Sequence, residues 1–441
     1  MMASETPLEQ RIIQLLAHLG IERAHFVACM PRDWQGLIAN HSEAVASLTL
    51  ICPMGINPHA LASSALPVLC ITGDQGRQAE DARRAIQNVA NAKPVVLRDY
   101  FSASWGDPAH DRGLEVDQAL SEFTNSLASA RAPKAVSLAE QSGDYAEIAY
   151  SVKGRGAPLV LLPLALSPSQ WDPLIPALSK RFCTIALSGS HLGMVAHLEA
   201  RAEAGYMRVV EALVSAAGLK RGDSLLEVGC GPGAIVRRIA KRTAGENPVV
   251  GVDVNRYLLR EAARLAERDR VAQWIEFREG NGERLPFPEN SYDVTVSCTV
   301  LEECDADRVL AELVRVTKPG GKVGIIVRST DMPRWVNLKL TPALKRKVEA
   351  PGLTGGNVGP GGCADMSLYE RMHRAGLLNV INMPQWASQN EGERLDFMHD
   401  RIAALLGGEE LTQWRRAVEL GRADGSFFIA EPFHCAVGTK P

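Results

Sequence analysis

Residues 225–233 constrain the fold of this chain more than any other stretch. They read Leu-Leu-Glu-Val-Gly-Cys-Gly-Pro-Gly, an apolar strand with Glu227 near its end and then three glycines at alternate positions. A helix with an apolar face that includes Ile235 follows at once. Because glycine has no Cβ atom, the backbone of such a strand–turn–helix unit comes very close to a nucleotide-like ligand. The stretch therefore predicts an α/β domain that binds such a ligand, although a tight turn alone has the same composition.

The segments that follow narrow this interpretation. The apolar run 249–252 ends in Asp253, and a carboxylate at the tip of a second strand suits the two hydroxyls of a ribose. The glycine spacing is Glu-x-Gly-x-Gly-x-Gly and not the dinucleotide pattern Gly-x-Gly-x-x-Gly. Residues 277–287 end a third strand, and residues 291–296 start a fourth. Lys-Pro-Gly-Gly at 318–321 closes a helix before a fifth strand.

In this order the segments resemble the class I S-adenosylmethionine-dependent methyltransferases, the small-molecule kind related to quinone C-methyltransferases. The resemblance covers residues 200–441. It implies a Rossmann-like domain with a mostly parallel seven-stranded sheet and a final antiparallel hairpin, which we assign to residues 427–430 and 434–438. It also implies S-adenosyl-L-methionine as cofactor and a small-molecule acceptor methylated at O, S or C. The alternative is a doubly wound domain that binds another nucleotide or has lost its ligand.

The resemblance assigns roles to individual residues. Glu227 faces the methionine part of the cofactor, Asp253 holds the ribose, and Asn281 stands where the family carries an aspartate beside the adenine amino group. A solvated aspartate and a plain loop are the alternatives at Asp253 and Asn281. The predicted cofactor-binding residues are Glu227, Gly229, Cys230, Gly231, Gly233, Asp253, Val254, Asn281, Gly282, Cys298 and Thr299.

Catalytic residues are harder to predict, because methyl transfer from a sulfonium requires alignment and exclusion of water more than a base. The family's Leu-Glu-His reads Leu-Glu-Glu at 301–303, so its usual histidine is missing. Two candidates remain. His434 points either into the acceptor pocket or to the hairpin surface, and Tyr206 lies on an amphipathic helix over the cofactor or in the core. Region 331–351, which includes Arg334, is where this family builds acceptor specificity.

The front half of the chain alternates strands and helices, which indicates a parallel α/β sheet. Residues 145–193 resemble the first half of the α/β-hydrolase family and residues 8–128 its second half, so the order is circularly permuted. Met30 stands where the hydrolase turn needs its serine nucleophile. We therefore predict two domains: residues 1–195, hydrolase-like and non-catalytic, and residues 196–441, the methyltransferase. A substitute nucleophile at Cys29 is the less favoured alternative.

Composition excludes several classes of partner. The net charge is −3 without a basic run, which argues against nucleic acid, and no apolar stretch reaches membrane-spanning length. Nine cysteines without a Cys-x-x-Cys pair indicate a reducing cytoplasm and no structural metal site. We expect a homodimer, paired through the vacant hydrolase-like sheet.

Two other functions stay open. Cys298, Cys304, Cys363 and Cys435 make a thiol or arsenite methyltransferase one alternative. A non-catalytic scaffold of two decayed enzyme domains is the other. The sequence does not reveal the acceptor.

Overall fold

The computed structural model describes residues 6–441 except 57, 88, 102–105, 128–131, 190, 204, 353–357 and 404. The chain forms two compact units, Met1–His197 and Leu198–Pro441. The boundary lies two residues from the predicted one. Of the helices formed by the described residues, none combines the length and apolarity needed to cross a membrane.

The first unit alternates strands with helices. Strands β1 and β2 are buried along their whole length, as is typical of parallel strands covered on both faces. The elements of this unit are α1 (Leu8–His18), β1 (Ala24–Ala28), α2 (Pro31–Asn40), β2 (Val45–Ile51), α3 (Pro58–Ser63), β3 (Val68–Gln75), α4 (Arg77–Ile86), β4 (Ala92–Phe101), α5 (Pro108–Asp111), α6 (Gly113–Asn125), β5 (Gln141–Tyr145), β6 (Ile148–Lys153), β7 (Ala157–Leu161), α7 (Ile175–Leu178) and β8 (Phe182–Ser188).

The sheet of the first unit has the strand order β4-β3-β2-β1-β7-β8-β6-β5. Strands β1 to β4 pair in parallel, as their alternation with helices predicts. Strand β6 runs antiparallel to both β5 and β8, so the sheet is mixed. Buried apolar residues form one cluster around Ile12 and Trp34 and another around Trp171 and Phe123.

The second unit holds the glycine turn. Helix α8 begins in the first unit and ends in the second. The elements are α8 (Gly193–Glu203), α9 (Gly205–Ala217), β9 (Leu225–Val228), α10 (Ala234–Arg242), β10 (Val249–Asp253), α11 (Arg256–Arg268), β11 (Ile275–Glu279), β12 (Tyr292–Cys298), α12 (Ala306–Val316), β13 (Thr317–Arg328), β14 (Trp335–Val336), α13 (Pro342–Glu349), α14 (Ser367–Arg374), β15 (Leu378–Asn382), β16 (Gln385–Gln389), α15 (Gly392–Ala403), α16 (Gly408–Ala423) and β17 (Ile429–Thr439).

The sheet of the second unit has the order β11-β10-β9-β12-β13-β17-β14, and β15 and β16 also pair with β17. Strands β9 to β13 are parallel, and β17 is antiparallel to β13. The carboxyl ends of β9, β10 and β12 therefore meet at one edge of the sheet, where α/β domains bind their ligands. The predicted Rossmann-like α/β architecture is confirmed.

The predicted seven-stranded sheet with a hairpin at 427–430 and 434–438 is wrong. Residues 429–439 form one continuous strand, β17, in a sheet of nine strands among the described residues. Its antiparallel partners β14, β15 and β16 come from earlier in the chain. Pro432 does not turn the chain: a proline removes one donor, while its carbonyl still accepts from the Ser329 N–H.

Candidate functional site

The glycine turn joins the end of β9 to helix α10. Gly229 has φ +78°, and a Cβ atom there would lie 2.1 Å from Cγ2 of Val300, so only glycine fits. Gly231 donates its N–H to Oδ2 of Asp253 at 2.8 Å, which ties the turn to the end of β10. The turn is therefore held open at a fixed distance from the neighbouring strands.

Asp253 is fixed by backbone donors. Its Oδ1 accepts the N–H of Asn255 at 2.8 Å, while Oδ2 accepts the N–H of Gly231. Burial raises the pKa of this carboxyl although both N–H groups oppose the shift. Each carboxylate oxygen keeps a further lone pair for an incoming hydroxyl. Beside it, Val254 is 70% exposed and offers an apolar surface to a ligand.

Glu227 is buried beneath the turn, with 1% of its surface exposed. Burial and the nearby Asp253 raise its pKa to about 8. Its Oε2 atom has no hydrogen-bond partner among the described residues. A buried acceptor without a partner costs folding free energy, and such groups in native proteins call for an explanation. A donor from a bound ligand supplies one.

The predicted adenine loop follows β11. The Asn281 side chain is exposed, and its Oδ1 accepts the N–H of Glu283 at 2.8 Å, which closes a tight Asx turn. Gly282 lies against the first strand, because a Cβ there would be 3.0 Å from Cγ1 of Val228. The amide oxygen of Asn281 thus already holds the loop, with one lone pair left for a ligand.

The residues at the carboxyl end of β12 are the last part of the candidate site at this edge of the sheet. Cys298 is buried, and burial raises the pKa of its thiol well above the ordinary value. Thr299 has φ +60°, which is rare for a β-branched residue and typical of functional sites. Its N–H donates to the carbonyl of Ile326 at 2.7 Å.

Arg201 on α8 is a site residue that the sequence analysis missed. Its guanidinium donates to Oγ1 of Thr299 at 2.9 Å and lies 4.2 Å from the ring centroid of Tyr206. It makes no ion pair with a carboxylate within the described part of the chain. Because an arginine on a helix normally faces solvent, no pattern in the sequence indicates this position.

Helix α8 is held over the turn by a buried ion cluster. Arg237 of α10 donates to Glu199 of α8 and to Asp269 after α11. The Arg237 and Glu199 side chains are 2% and 7% exposed. Leu198, one residue before Glu199, would lie 3.6 Å from a Cβ at Gly231. The cluster thereby sets the position of Arg201.

The two predicted catalytic residues lie on opposite sides of β17. Tyr206 is buried against Phe433, with ring centroids 5.1 Å apart, and its hydroxyl has no partner among the described residues. His434 is also buried; its Nδ1 lies 3.0 Å from the Tyr369 hydroxyl and its Nε2 2.6 Å from Oδ1 of Asp331. Successive side chains of a strand alternate between faces, so the fold does not bring these two residues together.

A cleft lies beside Tyr206 in the second unit. Phe433 and Met332 give it apolar walls. Its charged lining residues among the described part of the chain are Arg201, Arg328, Arg334, Arg394 and Glu431.

Residues 226–325 match the family model described as a methyltransferase domain. This part of the second unit is therefore similar to methyltransferase domains. A demethylmenaquinone methyltransferase of Lactobacillus johnsonii is 32% identical over 141 residues, which are 32% of this chain and 58% of the relative. A sterol 24-C-methyltransferase of Aspergillus fumigatus is 37% identical over 109 residues, 24% of this chain and 28% of that protein. The chain thus spans less than two thirds of either curated relative.

Among solved structures, the YcgJ protein of Bacillus subtilis is 16% identical, with a TM-score of 0.36, and the match covers 53% of this chain and 98% of that one. A TM-score this low supports no statement about function. The predicted methyltransferase class is confirmed by the family match. The matched residues include Glu227, the glycine turn, Asp253, Asn281 and Thr299, whereas all the described residues that line the arginine-rich cleft are outside them.

Proposed function

We propose that this chain is an enzyme that uses S-adenosyl-L-methionine to methylate a small molecule at O, S or C. The observation that carries the proposal is Glu227, a buried carboxylate with an unsatisfied oxygen directly under the glycine turn of a methyltransferase domain. When bound, the cofactor supplies a methyl group already activated by its sulfonium charge. The chain's part is then to bind, align and exclude water.

The residues at the sheet edge fit the parts of that cofactor. Asp253, whose two oxygens are already oriented by backbone N–H groups, would hold the ribose hydroxyls. Glu227 would hold the ammonium group, and Arg201 the cofactor carboxylate. Val254 and Gly282 would contact the adenine. Tyr206, which lies beside the cleft, remains a proposed residue of the acceptor side, and His434 remains a proposed catalytic residue on the other side of β17.

The described residues favour methylation of an organic small molecule at O, S or C over methylation of arsenite. Burial raises the pKa of the thiols of Cys298 and Cys435, so neither is a thiolate near neutral pH. No group of three or more His, Cys, Asp or Glu side chains that fits a metal ion occurs in the described part of the chain. No observation therefore favours the arsenite alternative.

For the first unit we propose a circularly permuted α/β-hydrolase fold without hydrolase activity. When the sheet is read from β5, its order β5-β6-β8-β7-β1-β2-β3-β4 is nearly sequential, which supports a fold whose chain once began at β5. Met30 follows β1 with φ −85°, an ordinary value, and not the strained turn that exposes a serine nucleophile.

Calorimetry with S-adenosylmethionine and S-adenosylhomocysteine tests the cofactor assignment. We expect Asp253→Ala to weaken binding by about 1–3 kcal/mol, the range for a hydrogen bond to a charged or buried group. Asp424→Ala, the same change at an exposed position, is the matched control. If the wild type binds neither compound, the proposed methyltransferase function is wrong, and a non-catalytic scaffold becomes the favoured function.

A further inference from the structure

Arginines converge on the cleft from four separate elements. Arg201 comes from α8, Arg328 from the end of β13, Arg334 from the segment before β14 and Arg394 from α15. Glu431 is the one acidic residue among the described residues that line the cleft. Four guanidinium groups therefore face one carboxylate.

The carboxylates in and around the cleft neutralise part of this charge. Glu431 accepts from Arg394. Glu302, which lies behind the cleft, accepts both the N–H and the Nε–H of Arg328, at 2.7 and 3.3 Å. Glu303 also pairs with Arg328, at 3.4 Å. The four lining arginines still outnumber the three carboxylates Glu431, Glu302 and Glu303. Although burial opposes its ionisation, Arg394, Arg334 and Arg201 hold the pKa of Glu431 below its ordinary value, as a positive surrounding field requires.

Arg334 is the most deeply buried of the four, with 6% of its surface exposed. Burial lowers its pKa, and Arg401 and Arg394 lower it further by like-charge repulsion. A buried cluster of like charges is costly in free energy unless anions accompany it. Such clusters are therefore found where a protein binds an anionic ligand.

The cleft also adjoins the cofactor residues. Arg201 lines it and bonds Thr299, while Phe433 lines it and packs on Tyr206. A molecule in the cleft thus reaches the edge of the sheet where the methyl donor is proposed to bind. Met332 and Phe433 offer contact to an apolar part of that molecule.

We propose that the methyl acceptor is an anion whose phosphate, diphosphate or carboxylate group is bound by Arg334 and Arg394. The planar guanidinium binds the oxygens of such groups in pairs. This inference rests on the proposed function, since it names the acceptor class of the same site.

The test is calorimetry on the full chain saturated with S-adenosylhomocysteine, with inorganic pyrophosphate and succinate as probes. We expect wild type to bind one probe or both, and Arg334→Gln to weaken that binding about tenfold or more. Arg416→Gln, the same change on the exposed side of α16, is the matched control and leaves affinity unchanged. Preference for pyrophosphate identifies a phosphorylated acceptor, and preference for succinate a carboxylate.

Glu431→Gln tests the proposal in the opposite direction, because misfolding would weaken anion binding and would not strengthen it. Loss of the only carboxylate lining the described cleft should strengthen anion binding, by about threefold. The proposal is overturned if wild type binds neither probe, if folded Arg334→Gln binds like wild type, or if Glu431→Gln does not bind more tightly. Saturation with S-adenosylhomocysteine is measured first, so failure of the cofactor assignment is seen separately.

Discussion

Glu227 lies in an environment that differs strongly from water. Its carboxyl is buried, lies near Asp253, and has a pKa of about 8. Near neutral pH it is therefore largely protonated in the absence of ligand. The ammonium group of a bound cofactor favours the ionised form, so cofactor affinity should rise as pH approaches 8.

The same pKa predicts how stability without cofactor depends on pH. The folded pKa of Glu227, about 8, lies above its ordinary value of 4.5, so between these values the folded chain binds the extra proton. The contribution of Glu227 to stability is therefore fully present below about pH 4.5 and is lost as pH rises to 8, by up to about 1.4 kcal/mol per pH unit. Urea unfolding at pH 5 and pH 8 measures this.

Glu227→Gln should lack this pH dependence, so the difference in unfolding free energy between mutant and wild type should change between pH 5 and pH 8. The exposed Glu246→Gln serves as control and should follow the wild-type curve. Parallel curves for wild type and Glu227→Gln would show that Glu227 ionises normally in the folded chain.

At the scale of elements, the structures encoded within one short stretch of sequence were predicted correctly. Those built from residues far apart in the chain were missed. Strand β9 and helix α10 form where the 225–239 pattern predicts them, because one short stretch encodes strand, turn and helix. The partners of β17 were missed because β15 is mostly exposed and shows no apolar alternation. The arginine cleft was missed because its residues come from four elements, and no spacing along the chain reports their convergence.

The glycine turn offers a matched pair of substitutions. Gly229 and Gly218 both have positive φ, +78° and +65°, but a Cβ at Gly218 meets nothing within 4 Å. Alanine at either site costs about 1–2 kcal/mol of backbone strain. Gly229→Ala also clashes with Val300, so it should be the less stable variant and lose S-adenosylhomocysteine binding, which Gly218→Ala keeps. If the two variants have the same melting temperature and the same affinity for S-adenosylhomocysteine, the close contact between Gly229 and Val300 does not matter for the turn.

Helix α8 depends on the buried ion cluster. Arg237→Met leaves Glu199 buried without its main partner, and we expect a loss of about 3–5 kcal/mol in the free energy of unfolding. Arg242→Met, an exposed position 4.0 Å from Glu211, should cost less than about 1 kcal/mol. Urea unfolding compares the two variants, and similar losses would mean that the cluster does not hold α8.

At the scale of the whole molecule, the match to a methyltransferase domain lies in the second of the two units. In the other, Met30 follows β1, and the neighbouring Cys29 is buried, which raises the pKa of its thiol. We expect no turnover of a chromogenic ester such as p-nitrophenyl acetate above the rate in buffer. Turnover that survives Met30→Ala and disappears in Cys29→Ala would instead make Cys29 a nucleophile.

The strand order of the first unit has a consequence for biosynthesis. β1 lies at the centre of its sheet, and its His25 pairs with Leu159 of β7, far later in translation. At ordinary elongation rates the nascent strand waits roughly 10 s before that partner leaves the ribosome. All five residues of β1 are buried in the finished sheet, so an apolar, unpaired edge is exposed in the meantime. Chaperone capture of the emerging polypeptide should therefore peak in this interval.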